Sequence, residues 1–140
     1  MRPGEIHHHG RFYLDTATGE IRGKFLLVLA ALPGDDLVAR LLTSRPHGRP
    51  TAPPCFHGDP YPSYFLGKFG GLRRETWIDL RYLPDLDAGD VTTAINRGVL
   101  TFVQSLDTAT FRDAANCTAA ANDTTRQQER AIRNQLARTG

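Results

Sequence analysis

No long hydrophobic run occurs in this sequence. The longest, Phe25 to Leu32, is eight residues, against about twenty for a helix that spans a bilayer. A membrane-spanning helix is therefore not expected. Cysteine is scarce: Cys55 and Cys117 are the whole complement. Two cysteines do not make a disulfide framework, and the default expectation is a reducing, cytoplasmic setting. An excess of one charge is also lacking. Seventeen Lys+Arg against fifteen Asp+Glu leave +2, which permits a polyanionic partner without demanding one. Met1-Arg2-Pro3-Gly4-Glu5 leads into histidines rather than an apolar stretch, so a cleaved secretory signal is not expected. No internal repeat is present. Paired Cys or His couples of the zinc-site kind are missing as well. Cys55-Phe56-His57-Gly58-Asp59 offers three ligand types at alternate positions, but no second couple stands elsewhere. Neither metal nor cofactor is expected.

What remains is a chain of 140 residues, 40% hydrophobic, enough for one domain with a modest core. The run Lys24 to Leu32, closed by Pro33-Gly34-Asp35-Asp36, predicts a strand buried on both faces. Leu37 to Ser44 follows as its antiparallel partner across that four-residue turn. Tyr13 to Glu20 reads as a strand end and a polar turn. Residues 45–63 hold six prolines and exclude a helix or a central strand. Cys55, Phe56, Tyr61 and Tyr64 supply apolar anchors, which favour an ordered loop. Tyr64 to Phe69 and the alternating Thr76 to Leu83 are further strand candidates, separated by a Gly70-Gly71 turn signal. Asp90 can cap a helix starting at Val91. Ile95, Val99, Phe102, Val103 and Leu106 lie at helical spacing and extend it. Beyond Leu106 the chain is Ala/Thr/Asn-rich, then polar and basic, with Asp123 or Thr124 as a helix start. Ile132 and Leu136 give that last segment a narrow apolar stripe that adds little to a core. The expected organisation is a barrel with a closing helix over residues 1–106 and a polar, basic helical tail over 107–140. The expected fold is mainly β (α+β): a small twisted antiparallel barrel or sheet with one or two C-terminal helices.

If the two apolar strands form a hairpin, residues 22–24 and 43–45 lie side by side. Arg22, Lys24 and Arg45 then surround the Thr43 and Ser44 hydroxyls, a pattern suited to phosphate oxygens. Polar strand ends without function are the ordinary alternative. His47, within Arg45-Pro46-His47-Gly48-Arg49, and Glu20 are candidate acid–base groups. Histidines in sequence on a strand alternate faces, so His7 and His9 can share a ligand but His8 cannot join them. Trp77 in its alternating strand reads as core rather than as a base-stacking platform.

The succession Gly4-Glu5-Ile6, Tyr13-Leu14-Asp15, Gly23-Lys24-Phe25-Leu26-Leu27-Val28-Leu29, Leu41-Leu42-Thr43-Ser44 and Trp77-Ile78-Asp79-Leu80, with a helix through Ile95 to Leu100, resembles the MazF/PemK (CcdB-like) toxin family over residues 3–103. The resemblance implies an SH3-like barrel, a homodimer, and metal-free endoribonuclease activity on single-stranded RNA held in check by an antitoxin. It maps the family's catalytic arginine to Lys24, with Arg22 as its alternative, and the catalytic threonine to Thr43. Lys24-Phe25 stands where the family carries Arg-Pro, and Asp79-Leu80 where it often carries Asp-Gln. Catalytic candidates are thus Lys24, Thr43, Arg22 and Arg45. Substrate-binding candidates are Glu20, Ser44, His47, Asp79 and His9. The resemblance leaves a second expectation open, a non-catalytic barrel that binds nucleic acid or a protein target such as gyrase.

Overall fold

The computed structural model describes residues 1–139, the side chains of Phe69 and Thr139 excepted. Seven strands and three helices are present in the order β1 (Glu5–Asp15), β2 (Glu20–Ala31), β3 (Leu37–Thr43), β4 (Cys55–Phe56), β5 (Ser63–Phe69), β6 (Leu72–Asp79), α1 (Ala88–Asn96), β7 (Leu100–Ser105), α2 (Thr108–Ala119) and α3 (Arg126–Thr139). The strands form one antiparallel sheet in the order β4-β5-β6-β3-β2-β1-β7. Its two ends, β4 and β7, are not paired with each other among the described residues. The fold is mainly β with helices, α+β.

Leu26 to Ala30 of β2 are all buried, as a continuous apolar run without helix length requires. Leu27 and Leu29 enter the larger core with Ile6, Val38, Leu42, Tyr64, Ile78 and Leu80. Leu26 and Val28 face a smaller one with Leu37, Ala39 and Leu100, against which Val91 and Ala94 of α1 pack. The Pro33-Gly34-Asp35-Asp36 turn forms, with Gly34 at φ +88° and Asp35 at φ 73°.

Four expectations are corrected. Residues 100–105 are an edge strand rather than the end of a helix. The helix stops at Asn96, and Gly98 turns the chain at φ +70°. Phe102, which completes the helical spacing, is 58% exposed on β7. The helix also starts earlier, because Asp87 accepts from the Asp90 N–H at 2.9 Å and Asp90 is not the cap. The C-terminal segment, in turn, contributes to the core. Phe111, Ala114, Ala115, Cys117 and Ala119 of α2 and Ile132 of α3 complete the larger cluster. Thr125, not Asp123 or Thr124, caps α3, accepting from the Gln128 N–H at 3.1 Å.

The loop over residues 45–63 is tied at several points. Trp77 is buried, and its Nε1–H donates to the Pro50 carbonyl at 2.9 Å. Cys55 forms a disulfide with Cys117 of α2, which departs from the expectation of a reducing setting. A pair 62 residues apart in sequence gives no local spacing signal, and only the docking of α2 on β4 and β5 brings them together.

Candidate functional site

The cleft arises where β3 changes partners. β3 pairs with β2 as far as Leu26↔Leu41. It then pairs with β6 through only Leu42↔Ile78 and Thr43↔Trp77. Beyond this point β2 and β6 splay, and the gap is a cavity of about 460 Å³. Three short segments line it: Gly23 to Phe25 of β2, Leu42 to Arg45 at the end of β3, and Gly71 to Arg74 with Thr76 at the β5–β6 turn. A Cβ at Gly23 would stand 2.7 Å from His8 Nε2 and 3.1 Å from the His9 carbonyl oxygen, so a larger residue there has to displace the His8 ring. The β5–β6 turn is held by its Gly71 N–H, which donates to Gln104 Oε1 of β7 at 2.8 Å.

Lys24, Thr43, Ser44 and Arg45 therefore share one cleft, with two further cations, Arg73 and Arg74. The residues lining it include no carboxylate and no imidazole among those described. Burial, and then the neighbouring Arg45 charge, push the Lys24 ammonium below the ordinary lysine pKa; Asp79 opposes and Arg81 adds to the shift. The ammonium also lies 5.5 Å from the centre of the Tyr13 ring. Thr43 Oγ1 accepts from the Arg45 N–H at 3.2 Å, which leaves its own O–H to donate elsewhere. The Arg45 carbonyl accepts from Arg49 Nη1 at 2.7 Å. Arg49 is buried and its guanidinium lies 4.8 Å from the Tyr61 ring centre. The loop thus fixes the backbone of Arg45 while its side chain remains exposed.

The other candidates lie elsewhere. Arg22 and Glu20 pair with each other at 3.2 Å, and Arg22 also reaches Asp15 at 3.4 Å. This closes an ion cluster at the tip of the β1–β2 hairpin. Neither lines the cleft, because the strands extend past the end of β3. His9 borders a separate groove with Asp90, Val91 and Leu100, and its Nδ1 accepts from the Arg11 N–H at 3.2 Å. His47 stacks on Tyr61 at 5.4 Å between ring centres. Asp79 accepts from Arg81 Nη2 at 2.7 Å. Burial raises its pKa, but the Arg81 hydrogen bonds and charge outweigh burial and hold the carboxyl below its usual range.

Arg73 and Arg74 were not expected from sequence. A Gly-Gly turn followed by two arginines is a local signal of a cationic hairpin tip, but nothing in it says that β6 joins β3. No family model, curated protein or solved structure matches this chain.

Proposed function

We propose that this chain is a toxin-like endoribonuclease that cleaves single-stranded RNA in the cleft between β2, β3 and β6. The observation that carries it is the convergence of Lys24, Thr43, Ser44 and Arg45 with Arg73 and Arg74 on one opening. Arginines grip phosphate oxygens in pairs, and the free Thr43 O–H donates to a third. Cleavage by the RNA's own 2′-hydroxyl needs a group to take its proton and cations to stabilise the charge that develops on phosphorus. Lys24, whose pKa burial and the Arg45 charge lower, fills the first role in the fraction of molecules that has lost its ammonium proton. The arginines fill the second. The 2′-oxygen bonds to phosphorus as the bond to the 5′-oxygen breaks, the proton taken by Lys24 passes to that leaving oxygen, and the products are a 2′,3′-cyclic phosphate and a 5′-hydroxyl. The resemblance adds the rest of the reading: an SH3-like barrel, a homodimer, mRNA as substrate and an antitoxin as inhibitory partner.

A second reading has its own observation. The described lining residues offer no carboxylate and no imidazole to take a proton. A cleft of this kind can hold a polyanion without cutting it.

The test is incubation with a long single-stranded RNA in EDTA, beside a Thr43→Ala/Arg45→Ala control. Discrete cuts ending in cyclic phosphate and absent from the control are expected. The rate rises with pH as Lys24 loses its proton, and Lys24→Arg abolishes that rise while RNA is still bound. RNA that is bound but left intact supports the second reading. RNA neither cut nor bound overturns both.

A further inference from the structure

The disulfide has a third member. His57 Nε2 lies 3.5 Å from Cys55 Sγ and 3.6 Å from Cys117 Sγ, and the three ligand atoms fall within 4.8 Å of one another. Zinc binds thiolate at about 2.3 Å and imidazole nitrogen at about 2.0 Å. Tetrahedral angles then set sulfur and nitrogen roughly 3.5 Å apart on the same ion. The observed separations are close to that value, and the ring has only to turn Nε2 from the Cys117 carbonyl towards the sulfurs. The two sulfurs of such a site stand about 3.8 Å apart, a spacing that side-chain rotation reaches once the S–S bond is broken.

We propose that the reduced protein binds one zinc ion through Cys55, His57 and Cys117, and that the ion replaces the disulfide as the staple between the 45–63 loop and α2. A dithiol reductant supplies the change. It passes two electrons to the S–S bond, which breaks, and its own two sulfurs join as a disulfide. Its two protons go to Cys55 and Cys117. Metal binding then releases both thiol protons to water. His57 serves the two states through one atom. In the oxidised protein Nε2–H donates to the Cys117 carbonyl at 2.9 Å. In the metal-bound protein the proton resides on Nδ1 and the Nε2 lone pair faces the ion. Cys55 is half-buried and Cys117 is buried, so the fourth position opens towards Cys55 and takes water. The site is separate from the cationic cleft, and the proposal stands whether or not the chain acts on RNA.

The probe is cobalt(II), which takes zinc sites and reports thiolate ligation by absorbance. The full chain is reduced with a dithiol, freed of reductant under nitrogen, and titrated. One equivalent is expected to produce thiolate-to-cobalt charge transfer and tetrahedral d–d bands, both displaced by zinc. The oxidised chain is expected to show neither. His57→Ala, which keeps both thiols, is expected to lose the tetrahedral bands. Uptake without a thiolate band, or uptake that persists in Cys55→Ser/Cys117→Ser, assigns binding to the His7–His9 run and overturns the proposal. A reduced chain that takes up no cobalt overturns it equally.

Discussion

Arg40 carries the sharpest energetic conflict of any single residue. It is fully buried on β3, where an uncompensated charge is costly. Burial accordingly pushes its pKa down, with Asp85 opposing. Its Nη1 donates to the Ala39 carbonyl at 2.8 Å, and its Nη2 to Gln128 Oε1 at 2.8 Å and Thr124 Oγ1 at 3.3 Å. Gln128, also buried, turns its Nε2 to the Leu83 carbonyl at 3.0 Å and Asp85 Oδ1 at 2.8 Å. One amide thus joins α3, β3 and the segment before α1. Gln128→Leu removes the acceptor but leaves the cation in place. It is expected to lower stability by about 1–3 kcal/mol, read as a lower urea midpoint at unchanged slope. Arg40→Met/Gln128→Leu is expected to lose less than the two single changes together, because the double variant buries no unpaired charge. Strict additivity would show that the two side chains do not depend on each other.

Among the elements, those with a local cause were legible. β2 declared itself because an eight-residue apolar run closed by Pro-Gly has room for a strand and not for a buried helix. Its hairpin with β3 follows from the turn, and the Leu26↔Leu41 register brings Lys24 and Thr43 to the same end. That much of the cleft was therefore visible in the sequence. Arg73 and Arg74 were not, because β6 reaches β3 through two residue pairs whose partners lie over thirty positions away. β7 misled for a different reason. At an edge with one face in water, Phe102 touches the His7 ring at 5.5 Å between centres yet stays 58% exposed, so its spacing with Ile95 and Val99 carries no information about a core. α2 and α3 looked too polar to matter, yet small alanines bury as completely as leucines where helices dock closely. The disulfide holds α2 against the 45–63 loop, and closing a loop of 62 residues removes unfolded-state entropy worth about 4 kcal/mol. Melts in EDTA with and without a dithiol reductant should therefore differ widely for the native chain. Cys55→Ser/Cys117→Ser should melt at the reduced chain's temperature in both conditions. Equal melts for the native chain would mean that the helix stays docked through its apolar face alone.

For the whole molecule, charge is nearly balanced at +2. Long-range attraction of a polyanion is correspondingly weak, and affinity for RNA has to come from where cations are concentrated. Lys24, Arg45, Arg73 and Arg74 are gathered at the cleft, whereas Arg22, Arg81 and Arg133 are each neutralised by a carboxylate partner. Binding should then depend on salt as a contact with few phosphates does. Each phosphate neutralised on a single strand contributes about −0.7 to the slope of log K against log salt. Four cations predict a slope near −3 by the same rule, roughly. Arg73→Ala/Arg74→Ala should flatten it by about 1.4, whereas Arg22→Ala should leave it unchanged because that guanidinium already serves Asp15 and Glu20. Fluorescence anisotropy of a labelled single-stranded RNA across a salt series measures both slopes. Equal slopes for the native chain and the Arg73→Ala/Arg74→Ala variant would place the phosphate path away from the β5–β6 turn. A slope near zero for the native chain would remove nucleic acid from consideration as a partner of this cleft.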